Sequence, residues 1–321
     1  MTRPVFLLSL PRAGSTLLQR LLLMSGKCAT LGEPSLLLRF LGEDVAMTRK
    51  ATYWESLVET ATDDMRKAWD GYDDAYRKGV RELMLGIYDG LASGKEWFLD
   101  KTPRYTLIGE EILATFPDAK FIVLWRHPLA VAASLSSTFR KGRWCPDEFG
   151  IDLHEGQQRL QDFCEKHADR VFQIKYEDLV TDPAAELGRL GGYLGWENLA
   201  AVLDEELVTS TGGTLGDPTG VKRYSKISPA SRDAWKAEMS NWYRRAWARK
   251  YVSGERARRM KQLGYELPDG IAHGGSFGLL PGIVDWFEAR RRISRRLRRP
   301  TWLPRFLKKF RKERGYEVSF R

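Results

Sequence analysis

Three cysteines, Cys28, Cys145 and Cys164, are too few to build a disulfide framework. Four histidines (His127, His154, His167, His273) are scattered, and none joins a cysteine at zinc-ligand spacing, so no metal is expected. Such cysteine usage suits a reducing compartment, and a cytoplasmic location is the expectation. No apolar run approaches the roughly 20 residues that a membrane-spanning helix needs. The first apolar stretch, VFLLSL after Thr2-Arg3-Pro4, is followed too soon by Arg12 and Arg20 to act as a signal peptide. It reads as a short buried strand. Internal repeats are absent, and so is any linker before about Pro268, where DGIAHGGSFGLLPG is glycine-rich and reads as a boundary. What is present suits a folded chain: 43% hydrophobic and 12% aromatic residues in 321 supply core for one large domain or two modest ones.

The net charge of +10 is not spread along the chain. Residues 286–321 hold fourteen Lys/Arg against three acids, while residues 1–285 hold 38 basic and 39 acidic side chains. The excess therefore belongs to the tail, and any basic pocket in the body must be local.

Strands alternate with helical segments, which predicts an α/β fold: a P-loop-type parallel sheet flanked by helices. The strands are Val5–Leu8, Trp97–Leu99, Phe121–Leu124 and Val171–Ile174, each a short apolar run suited to burial on both faces. Helices are expected over Thr16–Met24, Tyr105–Thr115, Pro128–Phe139 and residues 184–194, with two or three more over Ser231–Gln262. Helical spacing between Tyr53 and Leu91 predicts two antiparallel helices as a cap. Domain boundaries follow as residues 1–267 for the main body and 268–321 for a basic, helical C-terminal extension.

The strongest local signal joins the first strand to the first helix through Pro11, Arg12, Ala13, Gly14, Ser15 and Thr16. Backbone amides of such a loop, with the open end of the following helix, cradle a phosphate or sulfate. An ATP-binding loop of the form GxxxxGK[ST] would place lysine at position 15, where this chain has serine. That substitution argues against a nucleoside triphosphate, and Arg12 supplies the cation instead. A second signal is FIVLWRHPLAVAASL: Arg126 at the end of a buried strand and Ser134 on the next helix can both reach one phosphate beyond the sheet.

Together the two segments resemble the sulfotransferases that use 3′-phosphoadenosine-5′-phosphosulfate (PAPS). PRAGST is similar to that family's 5′-phosphosulfate loop, and WRHPLAVAASL to its 3′-phosphate motif. FLDKTPRY, IKYEDLVTDP and GDPTGVKRYSKISPASRDAW agree with it in order and spacing, so the resemblance covers about residues 4–265. Ala13 stands where serine is usual, and His127 where aspartate is commoner. The similarity is to bacterial members and to protein-tyrosine sulfotransferases, whose base is a glutamate. It implies in-line transfer of a sulfuryl group from PAPS to a hydroxyl or amine, releasing 3′,5′-ADP without a metal.

On this resemblance Arg12 stabilises the leaving phosphate, with Ser15 and Thr16 holding it, and Lys101 of DKTP touches the transferring sulfonate. Glu33 in TLGEPS is the expected base, because it follows a short apolar stretch (Cys28–Leu31) and would project from a strand end into the cleft. His154 and His167 could serve instead, but both lie in a charged helical stretch. Tyr176 is expected at the adenine, and Lys222 and Arg223 at the 3′-phosphate. In the tail, Ile283, Trp286, Phe287, Ile293 and Leu297 form an apolar helical stripe among arginines. This pattern predicts that residues 283–314 meet an anionic membrane surface, peripherally and at the inner face. No base-reading module accompanies it, so nucleic acid is not an expected partner. Two other readings stay open on the residues alone: a P-loop nucleotide-dependent kinase, and a non-catalytic membrane-associated scaffold. The acceptor's class and the oligomeric state are not written in the sequence.

Overall fold

In the computed structural model, residues 2–42, 52–140, 142–208, 210–212, 227–272 and 279–297 are described. Five segments form strands: β1 (Arg3–Ser9), β2 (Cys28–Thr30), β3 (Trp97–Asp100), β4 (Lys120–Trp125) and β5 (Val171–Lys175). They make one sheet in the order β2-β3-β1-β4-β5, and every pairing is parallel. The three central strands read as continuous apolar runs because helices cover the sheet on both sides. In β1, Phe6 and Leu8 face one core and Val5 and Leu7 the other, as the twofold alternation of a strand requires.

Between β1 and β2 lies α1 (Ser15–Met24). A short α2 (Leu37–Leu41) precedes the two cap helices, α3 (Thr52–Ala68) and α4 (Tyr72–Ala92). Then come α5 (Gly109–Thr115), α6 (Pro128–Arg140), α7 (Gln157–Lys166), α8 (Tyr176–Thr181) and α9 (Pro183–Leu194). Val80, Met84 and Tyr88 of α4 pack with Ile112 and Phe163 on one face of the sheet. Leu18, Leu21 and Leu22 of α1 pack with Leu187, Leu190 and Leu194 on the other.

The fold class is the expected one. The helix predicted over Tyr105–Thr115 is in fact two pieces, a 3-10 turn at Pro103–Leu107 and then α5. Tyr105 is drawn fully inward, where its hydroxyl donates to Asp100 Oδ2 at 3.1 Å, and the chain must turn again at Ile108 to begin α5. Past the body, the tail's first helix, Leu279–Leu297, packs on the helix Trp242–Tyr251. Residues 298–314 of the basic tail lie outside the described residues.

Candidate active site

In this strand order the chain leaves β1 toward β2 on one side and reaches β4 on the other. The crevice at the carboxyl ends of β1 and β4 is therefore the natural ligand position. Both predicted anion-binding segments arrive there. Arg126, just past β4, donates from Nη1 to the carbonyl of Arg12, just past β1, at 2.9 Å. Arg12 in turn donates from Nε to Ser134 Oγ on α6 at 3.3 Å. Arg12 thus shares one crevice with Arg126 and Ser134, which follow it 114 and 122 residues later.

The loop's local chemistry explains its shape. Gly14 has φ +98° at the start of α1, a conformation that favours glycine. A Cβ there would lie 2.6 Å from Tyr176 Cε2, so the tyrosine ring also demands glycine. Helix α1 has no side-chain cap and no acid in its first turn. Its leading amides, those of Ser15 and Thr16 included, have no intrahelical acceptor, so this end is electropositive and suited to an anion. Pro11 and Ala13 complete the turn, with Ala13 buried among residues that include Leu10 and Leu129.

Tyr176 holds the loop from beneath. It is 7% exposed, its hydroxyl meets Ser231 Oγ at 2.6 Å, and the Arg126 guanidinium lies 4.3 Å from its ring centre. Because Ser231 Oγ donates to Ser228 O, Tyr176 is the donor in that pair. Ser231 also accepts from Arg126 Nη2 at 3.2 Å through its carbonyl. Lys222 and Arg223 lie outside the described residues.

A second cluster forms on the neighbouring strands. Thr30 of β2 pairs with Leu99 of β3, so Glu33 and Lys101, a few residues farther on, emerge side by side. Lys101 is fully buried and donates from Nζ to Glu33 Oε1 at 2.8 Å, while the glutamate side chain stays 26% exposed. Gln19 of α1 donates from Nε2 to Thr30 Oγ1 at 2.7 Å and to Gly32 O at 3.0 Å. Helix α1 and the Glu33 segment are thereby joined.

Asp100 lies under this pair and was not singled out from sequence. It accepts from Tyr88, Tyr105 and Thr102, at 2.7, 3.1 and 3.1 Å. Burial pushes its carboxyl up to about 6, against the pull of those three donors and of Lys101. Thr102 Oγ1 and Tyr105 OH also accept from the amides of Ser35 and Leu37, so Asp100 anchors the segment that carries Glu33. Its signal in the sequence was an acid ending an apolar strand with hydroxyl residues two and five positions later.

The histidines play other parts. His127 Nδ1 accepts from Leu129 N at 3.2 Å, which leaves Nε2 as the donor to Glu266 O. Its ring stacks on Trp235, and burial holds its pKa below the ordinary histidine range. His154 lies 2.6 Å from Arg256, and His167 bonds Glu110 at 2.9 Å. Both rings are thus engaged by side chains other than those of the crevice. No cluster of three or more His, Cys, Asp or Glu that could hold a metal occurs among the described residues.

With this geometry in view, residues 4–200 match the profile of the Sulfotransferase family. The chain belongs to the sulfotransferase family. It is 32% identical over 134 residues to the nodulation protein NoeE of Sinorhizobium fredii (strain NBRC 101917 / NGR234). That match covers 42% of this chain but only 31% of NoeE. Two solved structures share the fold. A sulfotransferase domain from the curacin biosynthetic pathway has a TM-score of 0.56 at 23% identity, covering 84% of this chain and 99% of that one. A sulfotransferase domain from the Synechococcus PCC 7002 olefin synthase has 0.53 at 22%, covering 83% and 96%.

Proposed function

We propose that this sulfotransferase-family chain transfers a sulfuryl group from PAPS to a hydroxyl or amine acceptor, releasing 3′,5′-ADP. The observation that carries the reading is an uncapped, acid-free helix end, flanked by Arg12 and Arg126, on the same sheet edge as the Glu33–Lys101 pair. The donor set fits a bisphosphorylated nucleotide. The amides of Ser15 and Thr16, with Arg12, suit the 5′-phosphosulfate, and Arg126 with Ser134 suits the 3′-phosphate. Serine at position 15 leaves no lysine for a triphosphate.

When bound, PAPS supplies a sulfuryl group carried on a phosphate leaving group. The protein's own work is to hold charge and move one proton. Glu33, partly exposed at the cleft, takes the proton of the acceptor hydroxyl at a carboxylate oxygen. Lys101, buried with its ammonium on Glu33, orients that carboxylate and offers positive charge to the transferring group. Arg12 neutralises negative charge gathering on the leaving phosphate. Tyr176 acts below the loop and also offers a surface toward the adenine. Lys222 and Arg223 add cations for the 3′-phosphate.

All three cysteines are buried free thiols, and burial pushes Cys28 and Cys164 up to about 12. Inert thiols of this kind suit the reducing cytoplasm. The reading is tested by incubating the protein with sulfur-labelled PAPS and fractionated cell extract. Label transferred by the wild type and lost in Glu33→Gln supports it. Transfer that proceeds equally in Glu33→Gln moves the base elsewhere, and phosphate transfer from Mg-ATP would make the chain a kinase.

A further inference from the structure

The helix Leu279–Leu297 has two unlike sides. On the inner side Asp285, 7% exposed, accepts from Asn241 Nδ2 at 2.8 Å and from Arg244 Nε at 2.7 Å. Gly282 fits so closely that a Cβ there would lie 2.8 Å from Trp242 Cε2. Arg244 also grips Glu238 at 2.7 Å, so the anchor is a network that fixes the helix to the body. On the outer side Ile283 is 40% exposed, and Val284 and Phe287 are each 61% exposed. Phe287 lies four and three residues on from Ile283 and Val284, which puts the three on one side of the helix. Farther along the same helix the sequence supplies Arg290, Arg291, Arg292, Arg295 and Arg296, with no acid between Glu288 and the helix end at Leu297.

We infer that this docked helix is a binding face for an anionic lipid bilayer. Ile283, Val284 and Phe287 enter the headgroup boundary, and the arginines that follow meet lipid phosphates. Each half of the face is explained by the same partner. An interfacial helix needs apolar side chains directed away from the protein and cations of one sign beside them. Nucleic acid would satisfy the arginines but leave an aromatic and two aliphatic side chains without an apolar partner. A second copy of the chain would bring its own arginines against these, like charge on like. Because Asp285 locks the helix to the body, the bilayer would set the orientation of the whole enzyme instead of tethering it loosely. No described helix is long and apolar enough to cross a membrane. The inference goes beyond sulfuryl transfer and does not depend on it.

The test is co-sedimentation of the full chain with vesicles of phosphatidylcholine alone and of equimolar phosphatidylcholine and phosphatidylglycerol. The full chain should bind the anionic vesicles and leave the neutral ones. Val284→Glu with Phe287→Glu should lower that binding about tenfold or more with an unchanged melting temperature, since both side chains are exposed. Arg295→Glu with Arg296→Glu should lower it and flatten its salt dependence. Absence of binding to anionic vesicles would overturn the inference. So would equal binding to both vesicle types, or an oligomer that the Val284/Phe287 variant converts to monomer while vesicle binding stays unaltered.

Discussion

Glu33→Gln removes the proposed base and, at the same time, the partner of a buried ammonium, so its effects on activity and stability can be separated. Lys101 is fully buried, and its Nζ is 2.8 Å from Glu33 Oε1. Breaking a fully buried pair by removing one partner costs about 3–5 kcal/mol. Glu33 keeps 26% of its side chain in solvent, and the glutamine retains an oxygen that can accept from Nζ, so a smaller cost of about 2 kcal/mol is appropriate. For a body of this size that is roughly 4–8 °C in melting temperature. Adding Lys101→Met removes the stranded charge, and the double variant should recover most of the lost stability. Turnover should behave oppositely. Glu33→Gln should lose at least about 10²-fold through the missing base, and the double variant should recover none of it. Calorimetry on the four proteins of the cycle, with transfer rates from labelled PAPS, gives both readouts. If Lys101→Met restored activity to Glu33→Gln, the loss would have come from the stranded ammonium and the assignment of the base would fail.

Gly14→Ala should abolish 3′,5′-ADP binding in calorimetric titration, because a Cβ meets Tyr176 and the φ of +98° is strained for alanine; undiminished affinity would mean the loop is not the anion site. Arg12→Ala should cut turnover by about 10²-fold while weakening 3′,5′-ADP much less, since Arg126 and Ser134 remain; equal losses in rate and affinity would reduce Arg12 to a binding group. Asp100, raised to about 6 from an ordinary 3.8, binds its proton more tightly folded than unfolded. Stability should therefore fall as pH rises through the window between those values, by an amount on the order of 3 kcal/mol. Denaturation curves of wild type and Asp100→Asn should diverge across that window, and parallel curves would refute the burial argument. His127 has the opposite sign: its lowered pKa means that stability falls as pH drops below about 6.5, and His127→Asn, which can still cap Leu129, should flatten that limb.

Local grammar made much of the crevice legible before any fold was known. The loop at Pro11–Thr16 and the strand end at Arg126 each occupy a handful of consecutive residues, and both stand at the expected edge. The long-range partnerships were harder. Glu33 and Lys101 were each marked, yet that one grips the other depends on β2 lying beside β3, and β2 is only three residues long. Tyr176 was marked for the adenine, but no sequence pattern says that its ring lies beneath Gly14 and its hydroxyl on Ser231. Asp100 is not legible in the sequence, because a buried acid at a strand end resembles an ordinary cap until three hydroxyls converge on it. The docking of the helix Leu279–Leu297 on the body is not legible in the sequence, since Asp285 looks like one more surface acid until Asn241 and Arg244 meet it.

The central claim is that the crevice between β1 and β4 holds a bisphosphorylated nucleotide without a triphosphate or a metal. Thermal denaturation with 3′,5′-ADP, and separately with Mg-ATP, tests it most directly. The account predicts a rise in melting temperature with 3′,5′-ADP in the presence of a chelator, no rise with Mg-ATP, and loss of the response in Gly14→Ala. A rise with Mg-ATP and none with 3′,5′-ADP would contradict it.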